Sequence, residues 1–159
     1  MSVVFVLRTP TASAAVLLAS FIPGLRIPVR LLVVAARLFK STPVGARVHV
    51  PGKLPVVSEA VQIAIYRLAQ ECCRNVVRHS GASRVKLSLA SSDGWLELSV
   101  TDNGGGFDVE TALRKPDSFG LAGMRERVVQ MGGALEIQSR RGRGARVTAR
   151  LPATTAGNA

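Results

Sequence analysis

The sequence predicts an α+β fold: a two-layer α/β sandwich whose mixed or antiparallel sheet of about five strands carries helices on one face. Two pairs of short alternating segments are joined by turn residues, as in β-hairpins. Between them and before them lie segments with the three- and four-residue apolar spacing of helices. Repeated β-α-β units are lacking, so a wholly parallel sheet is not expected. With 159 residues and 47% hydrophobic composition, the chain can form one core.

Residues 1–43 form a poorly defined segment that is apolar and basic. The longest uncharged run, Thr9 to Leu25, is seventeen residues long and has a proline near each end. That length is at the short edge of what spans a bilayer, so membrane association stays open but is not favoured. A targeting peptide or the remnant of a truncated upstream region are the alternatives. Apolar spacing favours a helix near residues 29–40.

The folded domain is predicted to occupy residues 44–152, beginning with a strand over residues 44–50. Ser58 is the predicted N-cap of a long helix, and Gly81 is its predicted stop. Apolar residues recur along this helix at three- and four-residue intervals and form its core-facing stripe: Val61, Ile65, Leu68, Cys72 and Val76.

Polar residues repeat every four positions along one edge of the same helix. They are Arg67, Glu71, Asn75 and His79. One interpretation is an ordinary solvated face. The other is a helix edge that borders a cleft, because an uncharged Asn stands between a carboxylate and an imidazole. The spacing leaves both open.

A hairpin over residues 84–101 delivers the stretch around which the chain is organised, Val100 to Asp108. It joins a carboxylate, Asp102, to three consecutive glycines, residues 104–106. Asp can accept hydrogen bonds from an amino group, and bare glycine backbone allows a flat ligand to lie close. The same residues also suit a plain turn.

Residues 108–119 are polar and weakly patterned, which suggests a mobile cover. Gly120 and Gly123 then open a helix that runs to residue 131 and carries Arg125 in its first part. Glycines before a helix N-terminus expose backbone N–H groups to phosphate oxygens. A second hairpin, residues 134–151, follows, and residues 153–159 are a small-residue tail expected to be frayed.

Charge and cysteine content exclude several classes of protein. The formal charge of +11 divides into +7 for residues 1–54 and +4 for the remainder. The chain has only seven aromatic residues beside this charge, so no nucleic-acid partner is expected.

The adjacent Cys72 and Cys73 cannot build a disulfide framework or a zinc site, and they suit a reducing, cytoplasmic compartment. No P-loop, Rossmann, EF-hand or GxSxG signature is present.

Four motifs occur in order between residues 55 and 152. They are IYRLAQECCRNVVRHSGASRV, VTDNGGGFD, FGLAGMRERVVQMGGALEIQS and GRGARVTARLP. This set resembles the catalytic ATP-binding domain of sensor histidine kinases, within the gyrase, chaperone, histidine-kinase and MutL ATPase superfamily. It is most similar to the subgroup that pairs with helix-turn-helix (LuxR/NarL-like) response regulators. The resemblance implies the Bergerat-type ATP-binding fold.

The resemblance also implies a role for each site residue. Asn75 would bind Mg²⁺, Glu71 would assist the attacking group, and Asp102 would accept the adenine amino group. The remaining residues implied in ATP binding shape the adenine wall, hinge the cover or contact the phosphates: Gly104, Gly106, Gly120, Leu121, Gly123, Met124, Arg125 and His79.

Two departures from the family pattern limit what it implies. Related ATPases often have Thr after the Gly-x-Gly of the closing hairpin, where this chain has Ala145. No phosphoacceptor histidine motif precedes Val44, and His49 is a poor substitute because it lies in a predicted strand. The expected activity is therefore transfer of the ATP γ-phosphoryl to a histidine of another chain or of a missing upstream region, with a response regulator as an indirect partner. An anti-sigma-factor type of serine kinase, or a nucleotide-binding domain without turnover, are the alternatives.

Overall fold

The computed structural model describes residues 2–7, 26–114 and 119–153. The elements follow one another as a strand, a helix, a strand, a long helix, a hairpin, two helices and a second hairpin. They are β1 (Ser2–Leu7), α1 (Arg26–Phe39), β2 (Gly45–Pro51), α2 (Glu59–Asn75), β3 (Arg84–Ser92), β4 (Trp95–Asp102), α3 (Val109–Arg114), α4 (Phe119–Gln130), β5 (Ala134–Ser139) and β6 (Ala145–Pro152).

The strands form one mixed sheet in the order β1-β2-β3-β4-β6-β5. β2 and β3 are parallel, and every other neighbouring pair is antiparallel. The prediction of a mixed sheet with helices is confirmed. The sixth strand, β1, was not predicted, because its run of valines and Phe5 has no alternation of its own and it forms by pairing with the edge of β2.

The core lies between one face of this sheet and the helices. Strand positions alternate between buried and exposed, so that Val48, Leu87 and Leu98 are at most 2% exposed. On the helix side, α2 contributes its predicted apolar stripe, and α1 contributes Leu31 and Leu32 to the same cluster. Burial of this apolar area supplies most of the driving force for folding. The other face of the sheet is not part of this core.

The long helix begins and ends where the sequence predicted. The Ser58 hydroxyl accepts a hydrogen bond from the Val61 N–H at 3.4 Å, as an N-cap does. After Asn75 the α-helix continues as one π-helical turn, Val76–Ser80, and Gly81 ends it with a left-handed φ of 61°. π-helical turns of this kind are frequent at functional sites.

The predicted cover, residues 108–119, contains one short helix, α3. Residues 115–118 of the cover lie outside the described residues, as do the whole run from Thr9 to Leu25 and the tail beyond residue 153. Within the described ranges, no helix combines the length and the apolar character that crossing a membrane requires.

Candidate functional site

A cavity of about 440 Å³ lies between the C-terminal half of α2, the loop after β4, the start of α4 and the strand β6. Its volume is in the range of small-molecule sites. All four sequence motifs contribute residues to its lining, and Ala112 of the cover adds one more: Glu71, Cys72, Asn75, Val76, Arg78, His79, Ser80, Val100, Asp102, Gly106, Phe107, Ala112, Gly120, Leu121, Ala145 and Val147.

Asp102 is the last residue of β4 and reaches the cavity with a half-buried carboxylate. One of its oxygens accepts a hydrogen bond from the Gly104 N–H at 2.8 Å. Burial raises the pKa of this carboxyl, and the N–H groups of Gly104 and Ala145 oppose that rise. These bonds orient the carboxylate while leaving acceptor capacity for a further donor, such as an exocyclic amino group.

The three glycines form a loop that packs against the π-helical turn. The Gly105 N–H donates to the Ser80 carbonyl at 2.7 Å. A Cβ atom on Gly104 would overlap that same carbonyl group, so no larger residue fits this approach. The Ser80 hydroxyl in turn donates to the Val76 carbonyl at 2.8 Å. Gly104 therefore acts in the structure by joining the loop to the helix end.

The closing hairpin holds the other side of the same loop. The Gly142 N–H donates to the Gly105 carbonyl at 2.6 Å. The Phe107 N–H donates to the Ser139 hydroxyl at 2.9 Å, and that hydroxyl donates to the Gly144 carbonyl at 2.9 Å. Hydrogen bonds from two separate elements fix the backbone around Asp102, so the floor of the cavity is preformed.

The polar edge of α2 borders the opposite wall. Glu71, Asn75 and His79 all line the cavity, and the cleft interpretation of the four-residue spacing is therefore the one that the structure supports for them. The Glu71 carboxylate lies 3.7 Å from an Arg74 guanidinium nitrogen. It also lies next to the start of α4, since a Cβ built on Gly120 would be 2.8 Å from Glu71 Oε1.

Seven of the eleven predicted site residues line the cavity, and four do not. The four residues outside the lining are Gly104, Gly123, Met124 and Arg125. The Met124 side chain is 1% exposed and packs in the core, where its sulfur lies 3.8 Å from Cys72 Sγ. Arg125 is exposed, and no heavy atom lies within 4 Å of a Cβ built on Gly123. Met124 points inward because it belongs to the apolar stripe of α4.

Sequence reasoning missed Arg78, Ser80 and Phe107 as cavity residues. Arg78 was overlooked because the polar edge was followed at four-residue steps, whereas a position three residues after Asn75 shares the same face. That spacing was a usable signal. Phe107 gave no such signal, because its place in the wall depends on the hydrogen bond between the loop and the closing hairpin.

The two cysteines are free and buried. Burial is the main cause that raises the pKa of the Cys72 thiol to about 12, with the Glu71 carboxylate as a further cause. Burial also raises the pKa of Cys73. Both thiols therefore stay protonated and unreactive near neutral pH. Cys72 lines the cavity as a small apolar group.

A second concave region, of about 810 Å³, lies between α2 and α4. It is wider, but it contains no carboxylate and lies away from Asn75 and Asp102. The described part of the chain also contains no group of three or more acidic, histidine or cysteine side chains that could hold a metal ion.

Comparison with known proteins agrees with the geometry. Residues 60–155 match the family model described as "Histidine kinase-, DNA gyrase B-, and HSP90-like ATPase". The sensor histidine kinase LiaS of Bacillus subtilis is 38% identical over 96 residues, which are 60% of this chain and 26% of LiaS. The sensor protein VraS of Staphylococcus aureus is 34% identical over 96 residues, 60% of this chain and 27% of VraS. The chain thus spans about a quarter of these relatives.

Solved structures share the fold. The Acinetobacter baumannii histidine kinase AdeS superimposes with a TM-score of 0.65 at 19% identity, covering 80% of this chain and 63% of AdeS. Full-length ShkA in complex with AMPPNP gives a TM-score of 0.65 at 22% identity, covering 82% of this chain and 30% of ShkA.

The fold, the lined cavity and the family match lead to the same result. The sequence motifs that match the family supply most of the residues around the cavity. This chain belongs to the histidine kinase-, DNA gyrase B- and HSP90-like ATPase family and is homologous to the catalytic ATP-binding domains of sensor histidine kinases.

Proposed function

We propose that this chain binds Mg²⁺ and ATP in the 440 Å³ cavity and transfers the γ-phosphoryl group to a histidine of a sensor kinase dimerisation domain. That domain would belong to another chain or to an upstream region. The observation that supports this most directly is the presence of Glu71, Asn75 and Asp102 around one cavity. Asp102 is suited to recognise adenine. On the opposite wall, Glu71 and Asn75 are suited to a cation and phosphates.

In this proposal Asp102 accepts a hydrogen bond from the adenine amino group, with Gly106 and Phe107 beside the base. Its two backbone N–H donors keep the carboxylate oriented toward the cavity. Leu121 and Val147 would supply apolar contacts to the purine. An acceptor-only carboxylate favours adenine over guanine, because guanine presents a carbonyl oxygen where adenine has its amino group.

The phosphates would lie toward α2 and the start of α4. Arg78 and the exposed Arg125 would provide positive charge there, His79 would contribute a ring N–H, and the backbone at Gly120 would allow the cover to move. The Asn75 amide oxygen and the neighbouring Glu71 suit Mg²⁺, which is usually held by one or two protein groups together with substrate phosphates. When bound, that ion would neutralise charge on the phosphates.

In the transfer step, a nitrogen lone pair of the acceptor imidazole would form a bond to the γ-phosphorus. The bond from that phosphorus to the β,γ-bridging oxygen would break, and ADP would leave with the electron pair. Glu71 would hold the proton of the other imidazole nitrogen. Most of the rate acceleration in such reactions comes from positioning and charge neutralisation.

We propose further that α1 and β1 form one catalytic unit with residues 44–152, because Leu31 and Leu32 lie in the same core and β1 pairs with β2. We place it in the cytoplasm, where ATP and reduced thiols are present. Its response regulator would be of the helix-turn-helix (LuxR/NarL-like) class, on the strength of the four motifs alone.

The test is a phosphotransfer assay with γ-labelled ATP. The purified chain is mixed with a dimerisation domain that carries the acceptor histidine, and with a matched domain in which that histidine is Gln. Acid-labile label on the first domain and none on the second supports the proposal. Acid-stable label on a serine partner would indicate a serine kinase, and no label despite bound ATP would indicate a domain without turnover.

A further inference from the structure

The face of the sheet opposite the core carries a row of positive charge that the ATP site does not use. Arg47 on β2 is the register partner of Lys86 on β3, and Lys86 is the register partner of Thr101 on β4. Thr101 in turn faces Arg146 on β6. Because neighbouring strands are about 4.8 Å apart, the three cations span about 14 Å across four strands. All three are exposed.

These cations are not neutralised by carboxylates. The ion pairs among the described residues join Glu71 to Arg74 and Glu110 to Arg114, away from this face. In that same part of the chain, the side-chain hydrogen bond from Arg146 to the Thr101 hydroxyl, at 3.2 Å, is the one polar contact of the three cations. Uncompensated like charges in a row are unfavourable.

Two carboxylates lie on the same face but outside the row of cations. Glu136 accepts a hydrogen bond from the Gln138 amide at 2.6 Å. Glu97 faces Arg150 in the register, and the Arg150 guanidinium lies 4.9 Å from the centre of the Trp95 ring. The positive charge of the row also acts on His49. Burial is the main cause that lowers the pKa of His49, and Lys86 and Arg47 lower it further. The row therefore presents an open site for negative charge.

The surface next to the row is flat and can approach a peptide closely. The centre of the adjacent rank is formed by Ser88, Ser99 and Thr148, which are half-buried register partners, and His49 and Glu136 continue the rank on either side. The short hydroxyl side chains at its centre leave room for a peptide backbone. At the β1 end of the same face, Val4 is 50% exposed and Val6 is 53% exposed, and Val6 is paired with Arg47.

We propose that this face, defined by Arg47, Lys86 and Arg146 with the hydroxyl rank beside them, docks an acidic peptide segment of a partner protein. Charge complementarity selects carboxylates, and Val4 and Val6 would accept an apolar side chain of the segment. Nucleic acid fits less well, because Trp95 is the one aromatic residue on this face of the described strands and Arg150 covers it. A membrane surface fits less well, because membrane-surface elements carry several Trp, Phe and Leu residues, and the described strands place one of them, Trp95, on this face.

The experiment measures fluorescence anisotropy with the full chain and a labelled peptide of about 16 residues made of Glu, Ser and Val. Binding is measured at about 50 mM salt, where screening is weak. The triple variant Arg47→Gln, Lys86→Gln, Arg146→Gln is compared with Arg37→Gln, Lys40→Gln, Lys53→Gln. The control removes the same charge from exposed cations away from the sheet face. We expect the first triple to weaken binding about tenfold and the control less than about twofold.

Equal weakening by the two triples would overturn the proposal, since it would reflect net charge alone. Absence of saturable peptide binding would also overturn it. So would tighter binding to a duplex DNA or to phosphatidylserine vesicles that depends on the same three cations. Lys86→Glu is a second variant with a single change, and thermal melting verifies that each variant is folded. Peptide binding lost by Lys86→Glu and kept by Lys53→Glu would support the proposal.

Discussion

Gly120 and Glu71 face each other at the cavity so closely that a methyl group on residue 120 would lie 2.8 Å from Glu71 Oε1. The start of α4 is thereby placed against the polar edge of α2. Gly123, one turn later, has no heavy atom within 4 Å of the corresponding position. The two glycines share a helix and differ in what surrounds them, which makes them a matched pair.

Gly120→Ala should weaken ATP binding about tenfold, because Glu71 or α4 must move to admit the methyl group. Gly123→Ala should leave ATP binding unchanged and raise the free energy of unfolding by about 0.5–1 kcal/mol, as Ala does in place of Gly within a helix. Calorimetric titration with ATP and urea unfolding measure the two effects. Equal ATP affinity in both variants would show that the contact with Glu71 does not matter for the site.

Asn75→Asp should weaken binding of ATP in the presence of Mg²⁺, because a second carboxylate beside Glu71 repels the phosphates. Asn103→Asp is the control, since Asn103 lies outside the cavity lining and bonds Ser83 and Arg84. Titrations with and without a chelator separate the effect on the ion from the effect on the nucleotide. An unchanged affinity for Mg²⁺ and ATP in Asn75→Asp would count against the role proposed for Asn75.

Asp102→Asn should abolish discrimination between ATP and GTP, because an amide presents a donor as well as an acceptor. The wild-type chain should bind ATP more weakly as the pH falls through the raised pKa of Asp102, since the protonated carboxyl is a poorer acceptor. Equal affinity of the wild type for ATP and GTP would refute the assignment of Asp102 to the adenine amino group.

The raised pKa of Asp102 also predicts how the free energy of unfolding depends on pH. Its pKa is higher in the folded chain than in an ordinary Asp, so the folded state binds more protons in the interval between the two values. The free energy of unfolding of the wild type, relative to Asp102→Asn, should therefore fall as the pH rises through that interval and level off above it. Urea unfolding at a series of acidic pH values measures this. A relative stability that rises with pH would contradict the cause assigned to the shift.

Gly106→Ala should destabilise the fold more than Gly142→Ala. Both glycines have positive φ, 60° and 77°, so each substitution introduces the backbone strain of about 1 kcal/mol that non-glycine residues carry there. Gly106 alone also places a Cβ onto the Arg140 carbonyl, whereas nothing lies within 4 Å at Gly142. Urea unfolding of the two variants isolates this steric contribution, and equal destabilisation would show that the loop relaxes around it.

Much of the secondary structure and of the candidate site could be predicted from the sequence. The alternating strand residues, the N-cap at Ser58 and the stop at Gly81 depend on local spacing and backbone preference, which a sequence carries directly. Seven of the predicted site residues also meet at one cavity, because their motifs occupy positions where strands end and helices begin. Arg78 could have been added from its spacing relative to Asn75.

Long-range contacts decided the remainder. The strand Ser2–Leu7 exists because the edge of β2 offers unpaired hydrogen-bonding groups, and nothing in its own residues specifies that partner. Met124 turns into the core, and Gly104 packs on Ser80, because helices and loops distant in the sequence meet there. The row of cations appears only once strand register aligns residues 47, 86 and 146. Sequence determines local conformation, but which side chains become neighbours depends on the packing of the whole chain.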